Sequence, residues 1–195
     1  MGLRERIERR FLSSLRKAGI RPDDTVWLPV DCRIQSYAAM DILAKIEEEY
    51  DTVLNVLVLT PLSPCFNEVM SPYNVHRGVC HVTSYGGYKE CVRRYLEGRG
   101  GGLIVFPFSA EDLALEMLGE HAVAGWRGFR IDVRFRTAYP FASTRVGELL
   151  KIYSNCGCVG HYGSLDAAAL FERLSGRVTP TAASKIYVRL SGWLS

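Results

Sequence analysis

Residues able to do chemistry gather at the end of one apolar run, in Asp31-Cys32-Arg33-Ile34-Gln35-Ser36. Val26, Leu28 and Val30 before them read as a short buried strand. Ala39, Ile42, Leu43 and Ile46 after them recur at helical spacing. The six residues therefore lie in a strand-to-helix turn of a parallel α/β sheet, where ligands sit at strand carboxyl ends and anions meet helix N-termini. A turn that cradles phosphate needs glycines, so that backbone N–H groups can approach closely. This one offers a carboxylate, a thiol, a guanidinium, an amide and a hydroxyl, and no glycine. A second group follows the apolar run 103–106, where Ser109 reads as a helix N-cap with Glu111 and Asp112 in the first turn. Negative charge there favours the helix dipole by about 0.3–1 kcal/mol per residue. The six cysteines (Cys32, Cys65, Cys80, Cys91, Cys156 and Cys158) contain no CxxC pair, so a zinc ribbon is not expected. His76, His81 and His161 read as hydrogen-bonded loop residues.

The elements that must position these groups alternate between strand and helix, without repeats. A helix over 3–18, with Leu3, Ile7, Phe11, Leu12 and Leu15 at helical spacing, ends at Gly19. A strand over 26–30, a helix over 36–49 and a buried strand over 53–59 follow. Pro61, Pro64, Pro72, Gly78, Gly86 and Gly87 then predict a long loop region over 60–87, holding one short strand at 79–83. Next come a helix over 88–97, a strand over 103–106, the helix begun at Ser109, a strand over 129–135, a helix over 144–153, and two last helices over 165–174 and 181–194. The glycine run 98–102 precedes a strand rather than following one, which excludes it as a phosphate loop.

Read together with Gly19-Ile20-Arg21-Pro22-Asp23-Asp24, the first turn resembles the PP-loop ATP pyrophosphatase superfamily, in its tRNA 2-thiolation branch, where a similar lead-in reaches an SGGxDS loop. In register, 31–36 occupies the SGGxDS place and only Ser36 matches, so the resemblance is to a degenerate loop. Cys91-Val92-Arg93-Arg94 resembles the branch's middle helix, 109–118 its acidic GHNxDDxAExxL segment, Tyr139-Pro140-Phe141 its RPL segment, and 154–164 the place of its CPYS segment. The resemblance implies a Rossmann-like fold of the adenine nucleotide alpha-hydrolase type, with a mostly parallel sheet of about five strands and helices on both faces. It also implies a nucleotide place formed by Asp31, Cys32, Arg33, Gln35, Ser36, Glu111 and Asp112. Thiols from the middle helix and the CPYS place meet in that branch, which makes Cys91, Cys156 and Cys158 candidate catalytic thiols and brings Cys91 near one of the other two.

Composition bounds these readings. With 195 residues, 48% hydrophobic and 23% charged, the chain fits one α/β domain over 1–195 with a basic helix over 1–21. No apolar run approaches the roughly 20 residues of a membrane helix, and the charged start carries no signal-peptide h-region, so no membrane partner and a cytoplasmic location are expected. Disulfides are then not expected unless the source is a hyperthermophile. The net charge is only +3, yet 1–21 holds seven Lys/Arg against two Glu, and 125–151 six against two acids. Arg9, Arg10, Arg134 and Arg136 are therefore candidate RNA contacts. The expected function is that of a degenerate PP-loop protein associated with tRNA 2-thiolation, a non-catalytic or partner subunit acting with tRNA, with an intact PP-loop protein or as a homodimer. An active ATP-dependent thiolating or adenylating enzyme, and a stand-alone RNA- or nucleotide-binding module, remain as alternatives. ATP with magnesium is expected to bind weakly if at all, no other cofactor is expected, and no metal or iron–sulfur cluster.

Overall fold

The computed structural model describes residues 2–50, 52–78, 80, 82–117, 134–154 and 156. Helix α1 (Leu3–Lys17) leads to strand β1 (Thr25–Val30), helix α2 (Ile34–Tyr50), β2 (Val53–Val58), a 3-10 turn (Pro64–Val69), β3 (Asn74–Arg77), α3 (Tyr85–Leu96), β4 (Gly102–Val105), α4 (Ala110–Glu116), β5 (Phe135–Ala138) and α5 (Val146–Leu150). The five strands form one sheet in the order β3-β2-β1-β4-β5, with every pair parallel. The α/β class, the strand number and the parallel sheet agree with the sequence reading.

Alternation along the strands divides the core between the two faces of the sheet, because successive side chains point to opposite sides. Val26, Leu28, Val30, Leu54, Val56, Leu103 and Val105 pack with Ile7, Phe11 and Leu15 of α1 and with the apolar residues of α2 and α5. Trp27, Leu57 and Ile104 pack on the other face with Tyr85, Tyr88 and Val92 of α3 and Leu113 of α4. The sheet is thus covered by helices on both sides.

The order of the strands reverses between β1 and β4, which is where open parallel sheets bind ligands. Pairing across that step is confined to Val26↔Leu103 and Trp27↔Ile104. Pro29, which has no N–H to donate, lies just beyond it, and its carbonyl accepts from the Tyr88 hydroxyl at 2.6 Å instead. The glycine run leading into β4 is explained by close packing. A Cβ on Gly101 would run into the Arg134 carbonyl and one on Gly102 into the Thr25 carbonyl.

Three expectations need correction. The short strand lies at Asn74–Arg77, not at 79–83; as a polar edge strand it has little apolar alternation to reveal it. Helix α3 starts at Tyr85, three residues earlier than expected, because the Ser84 hydroxyl accepts from Gly87 N at 3.0 Å and so carries a first turn holding two helix-disfavouring glycines. Of the strand expected over 129–135, residues 129–133 lie outside the described residues, and among the described ones the strand runs over Phe135–Ala138. The two helices expected over 165–194 lie outside the described residues.

Candidate functional site

The turn after β1 closes on itself. Asp31 is buried, and its Oδ1 accepts from Arg33 N at 2.9 Å and from the Ser36 hydroxyl at 2.8 Å. The Ser36 hydroxyl oxygen in turn accepts from Asp31 N at 3.1 Å. The N–H groups of Asp31 and Arg33 are therefore bonded within the turn. Residues 31–36 also contain no left-handed backbone position, since positive φ occurs, among the described residues, at Gly19, Asp23, Gly98 and Gly102. An anion-cradling nest of successive N–H groups needs such a position.

Arg33 carries the turn across the β1–β4 step. Its Nε donates to Asp31 Oδ2 at 2.7 Å and its Nη1 to Asp112 Oδ1 at 2.7 Å, with the side chain 4% exposed. The guanidinium stands over the rings of Phe108 at 5.7 Å and Tyr85 at 5.9 Å. Burial opposes its charge, but Asp112 and Asp31 outweigh that and raise its pKa well above the usual value. Asp112 is the hub on the β4 side. Its Oδ1 also accepts from the Tyr85 hydroxyl at 2.6 Å, and its Oδ2 accepts from Gln35 Nε2 at 2.9 Å and from Ser109 N and Oγ at 2.8 Å each. Ser109 accepts from Asp112 N at 3.2 Å, completing a reciprocal cap at the start of α4.

Beside this network lies a second buried pair, Lys89 of α3 with Glu116 of α4. The ammonium sits over Tyr139 at 5.2 Å, Phe108 at 5.7 Å and Phe106 at 5.8 Å. Burial works against the charged form, while Glu116 raises the lysine pKa. The strand-end region of the switch point is thus filled by the chain's own ions and rings.

Of the sequence-predicted residues, Asp31, Arg33, Gln35, Ser36 and Asp112 come together in this network. Cys32 lies in the same turn, half-buried and outside any disulfide. Glu111 turns away, its Oε2 accepting from Val146 N at 3.1 Å at the start of α5. Tyr85, Lys89, Phe108, Glu116 and Tyr139 were not singled out from the sequence. A signal for Lys89 did exist, since Tyr85, Tyr88, Val92 and Leu96 mark the apolar face of α3 and position 89 falls on it.

The thiols are distributed differently from expectation. Cys91 is disulfide-bonded to Cys80, and Cys156 to Cys65, with Cα separations of 6.1 and 5.9 Å. Cys91 and Cys156 are thus held in separate disulfides, and the expectation of no disulfides is corrected. The fold lays the turn after β2 beside the chain following α5, across 91 residues of sequence that spacing alone does not bridge. Cys158 lies outside the described residues.

The candidate RNA contacts are tied into the protein itself. Arg9 pairs with Glu5 at 3.0 Å and Arg10 with Glu148 at 3.3 Å. Arg136 pairs with Asp24 at 2.5 Å and donates to the Gly19 carbonyl, fixing the link between α1 and β1. Arg134 is exposed. No helix of the described residues is long and apolar enough to cross a membrane.

No protein-family model matches the chain, and no curated protein matches it in sequence. Among solved structures it is similar to the U34-tRNA thiolase NcsA from Methanococcus maripaludis with its 4Fe–4S cluster, at a TM-score of 0.67 and 10% identity over 99% of this chain and 80% of that one. The neighbour's cluster overturns the expectation that an iron–sulfur cluster is foreign to such a protein. Among the described residues no three Cys, His, Asp or Glu side chains form a ligand set for such a cluster, and four cysteines are paired as disulfides. At this identity the likeness shows the fold alone, a five-stranded all-parallel α/β sheet covered by helices.

Proposed function

We propose that this chain is a PP-loop-fold protein associated with tRNA sulfur modification, acting as a non-catalytic or partner subunit whose nucleotide place is closed by its own side chains. The observation that carries the reading is Arg33, buried between Asp31 and Asp112 across the β1–β4 step. Its guanidinium is a fixed internal cation, ion-paired to two carboxylates of the chain itself. A triphosphate entering from the strand ends would have to displace that ion pair and leave two acids facing its own negative charge. The turn has neither glycines nor a left-handed position, and the N–H groups of Asp31 and Arg33 are already bonded within it. The association with tRNA sulfur chemistry is supported by the structural likeness to a U34-tRNA thiolase. A partner with an intact SGGxDS loop would supply the nucleotide chemistry in this arrangement.

Calorimetry with ATP and magnesium tests the closed site. The dissociation constant should lie above about 1 mM, less than about 4 kcal/mol of binding. A micromolar value that is lost in Ser36→Ala would replace this reading by that of an active enzyme. Deleting the gene and measuring thiolated nucleosides in bulk tRNA tests the pathway. An unchanged 2-thiouridine content would refute the link to sulfur modification.

A further inference from the structure

Away from the switch point, the sheet presents a second cluster near the amino ends of its strands. Trp27 of β1 and His76 of the edge strand β3 face the same side as α3, with ring centroids 5.0 Å apart. Tyr95, near the end of α3, meets Trp27 at 6.1 Å and His76 at 6.0 Å, both edge to face. His76 is oriented by Asn55, with Nε2 and Oδ1 3.0 Å apart. The exposed Arg99 lies over Tyr95 at 4.4 Å and over Trp27 at 5.6 Å. Its Nε donates to the Tyr95 carbonyl at 3.0 Å.

Three features separate this cluster from ordinary core. Trp27 is only 6% exposed, yet its Nε1 has no hydrogen-bond partner among the described residues, and a buried indole N–H normally finds one. Val53, on the same sheet face, is 49% exposed, which leaves apolar surface open beside the rings. Arg99 is exposed and forms no ion pair among the described residues. An aromatic platform, an unused donor under its edge and an unneutralised cation suit a planar group that carries acceptors and is joined to phosphate.

We propose that this patch takes one unpaired base of an RNA strand. The base stacks on Tyr95 in the place now covered by Arg99, a carbonyl or ring nitrogen of the base accepts from Trp27 Nε1, and Arg99 turns to a flanking phosphate. The inference deepens the tRNA-association reading by naming where an RNA strand is gripped, and it is independent of the closed nucleotide place.

The test uses the full chain, a uridine decamer and an adenosine decamer, and unmodified tRNA. Both decamers should quench the part of the tryptophan emission that is missing from Trp27→Phe. Tyr95→Ala should weaken decamer binding at least about tenfold, the loss expected of one stacking platform. Tyr95→Phe keeps the ring and should bind like the parent, which guards against a folding artefact. Arg99→Ala should weaken binding and flatten its dependence on salt. Equal decamer affinity in the parent, Tyr95→Ala and Arg99→Ala would overturn the site. If tRNA still bound all of these equally, RNA association would stand without it. Tyr95-dependent decamer binding together with an unchanged thiouridine content in the deletion strain would instead keep the site and remove the sulfur-modification reading.

Discussion

A guanidinium held between two buried carboxylates is costly to lose on one side only. Replacing Arg33 by Met would leave Asp31 and Asp112 buried without their cation, and breaking a buried pair in this way costs about 3–5 kcal/mol. Urea unfolding of Arg33→Met should show that loss. The triple variant with Asp31→Asn and Asp112→Asn should recover much of it, since no uncompensated charge then remains. A triple variant as weak as the single one would assign the loss to packing rather than charge. Arg33→Lys should rescue poorly, because an ammonium cannot span both acids with a planar fork. Tyr153 makes a separate pH-dependent contribution. Burial first, and then donation of its hydroxyl to Asp41 at 2.8 Å, raise its pKa above the ordinary value of about 10. A raised folded pKa means that this stabilisation is complete below about pH 10 and is lost as the pH climbs toward the folded value. Unfolding free energy should fall more steeply above about pH 10 in the parent than in Tyr153→Phe, by at most about 1.4 kcal/mol per pH unit for the one proton.

At the scale of elements, helix α4 is set by its first residue. Ser109 and Asp112 cap each other reciprocally, so Ser109→Ala should cost about 0.5–2 kcal/mol in thermal or urea unfolding, toward the upper end because Asp112 also serves Arg33 and Gln35. A loss below the lower bound would show the helix to be held by packing alone. The sequence contained this cap openly, as Ser109 followed by an acid at the third position. The strands and helices whose apolar residues follow a strict period, α1, β1, β2 and β4, were also legible to within two or three residues. Elements without that period were not. Asn74-Val75-His76-Arg77 has no buried face of its own, and the Gly86-Gly87 pair hides the first turn of α3. The candidate site was legible as a place and not as a state. Strand-to-helix turns are local, so Asp31 to Ser36 and Ser109 to Asp112 could be found. The salt bridge from Arg33 to Asp112 spans 79 residues, and nothing in either segment announces its partner. Charged residues on helices ordinarily face water, so Lys89 and Glu116 carry no plain signal of burial in their residue type, although the phase of α3 and α4 turns these two inward.

For the molecule as a whole, the two disulfides act on very different lengths of chain. Cys65–Cys156 closes 91 residues and joins the turn after β2 to the segment after α5, whereas Cys80–Cys91 closes 11 and ties the loop after β3 to α3. If each acts mainly by restricting the unfolded chain, the long loop is worth about 4–5 kcal/mol and the short one about 3 kcal/mol. For a domain of this size each kcal/mol moves the melting temperature by about 2–4 °C, so Cys65→Ser should lower it by about 9–18 °C and Cys80→Ser by about 6–11 °C. Cys65 and Cys156 are both half-buried, whereas in the short link only Cys80 is half-buried and Cys91 is 5% exposed, so a reductant that can reach either sulfur of the long link should open it first. Peptide mapping after graded treatment with a dithiol should therefore release the Cys65–Cys156 link before the Cys80–Cys91 link, with the larger fall in melting temperature accompanying the first. Release in the opposite order would mean that access does not govern these bonds. Equal falls would mean that chain entropy does not set their worth, and that each bond acts through the contacts it holds in the native state.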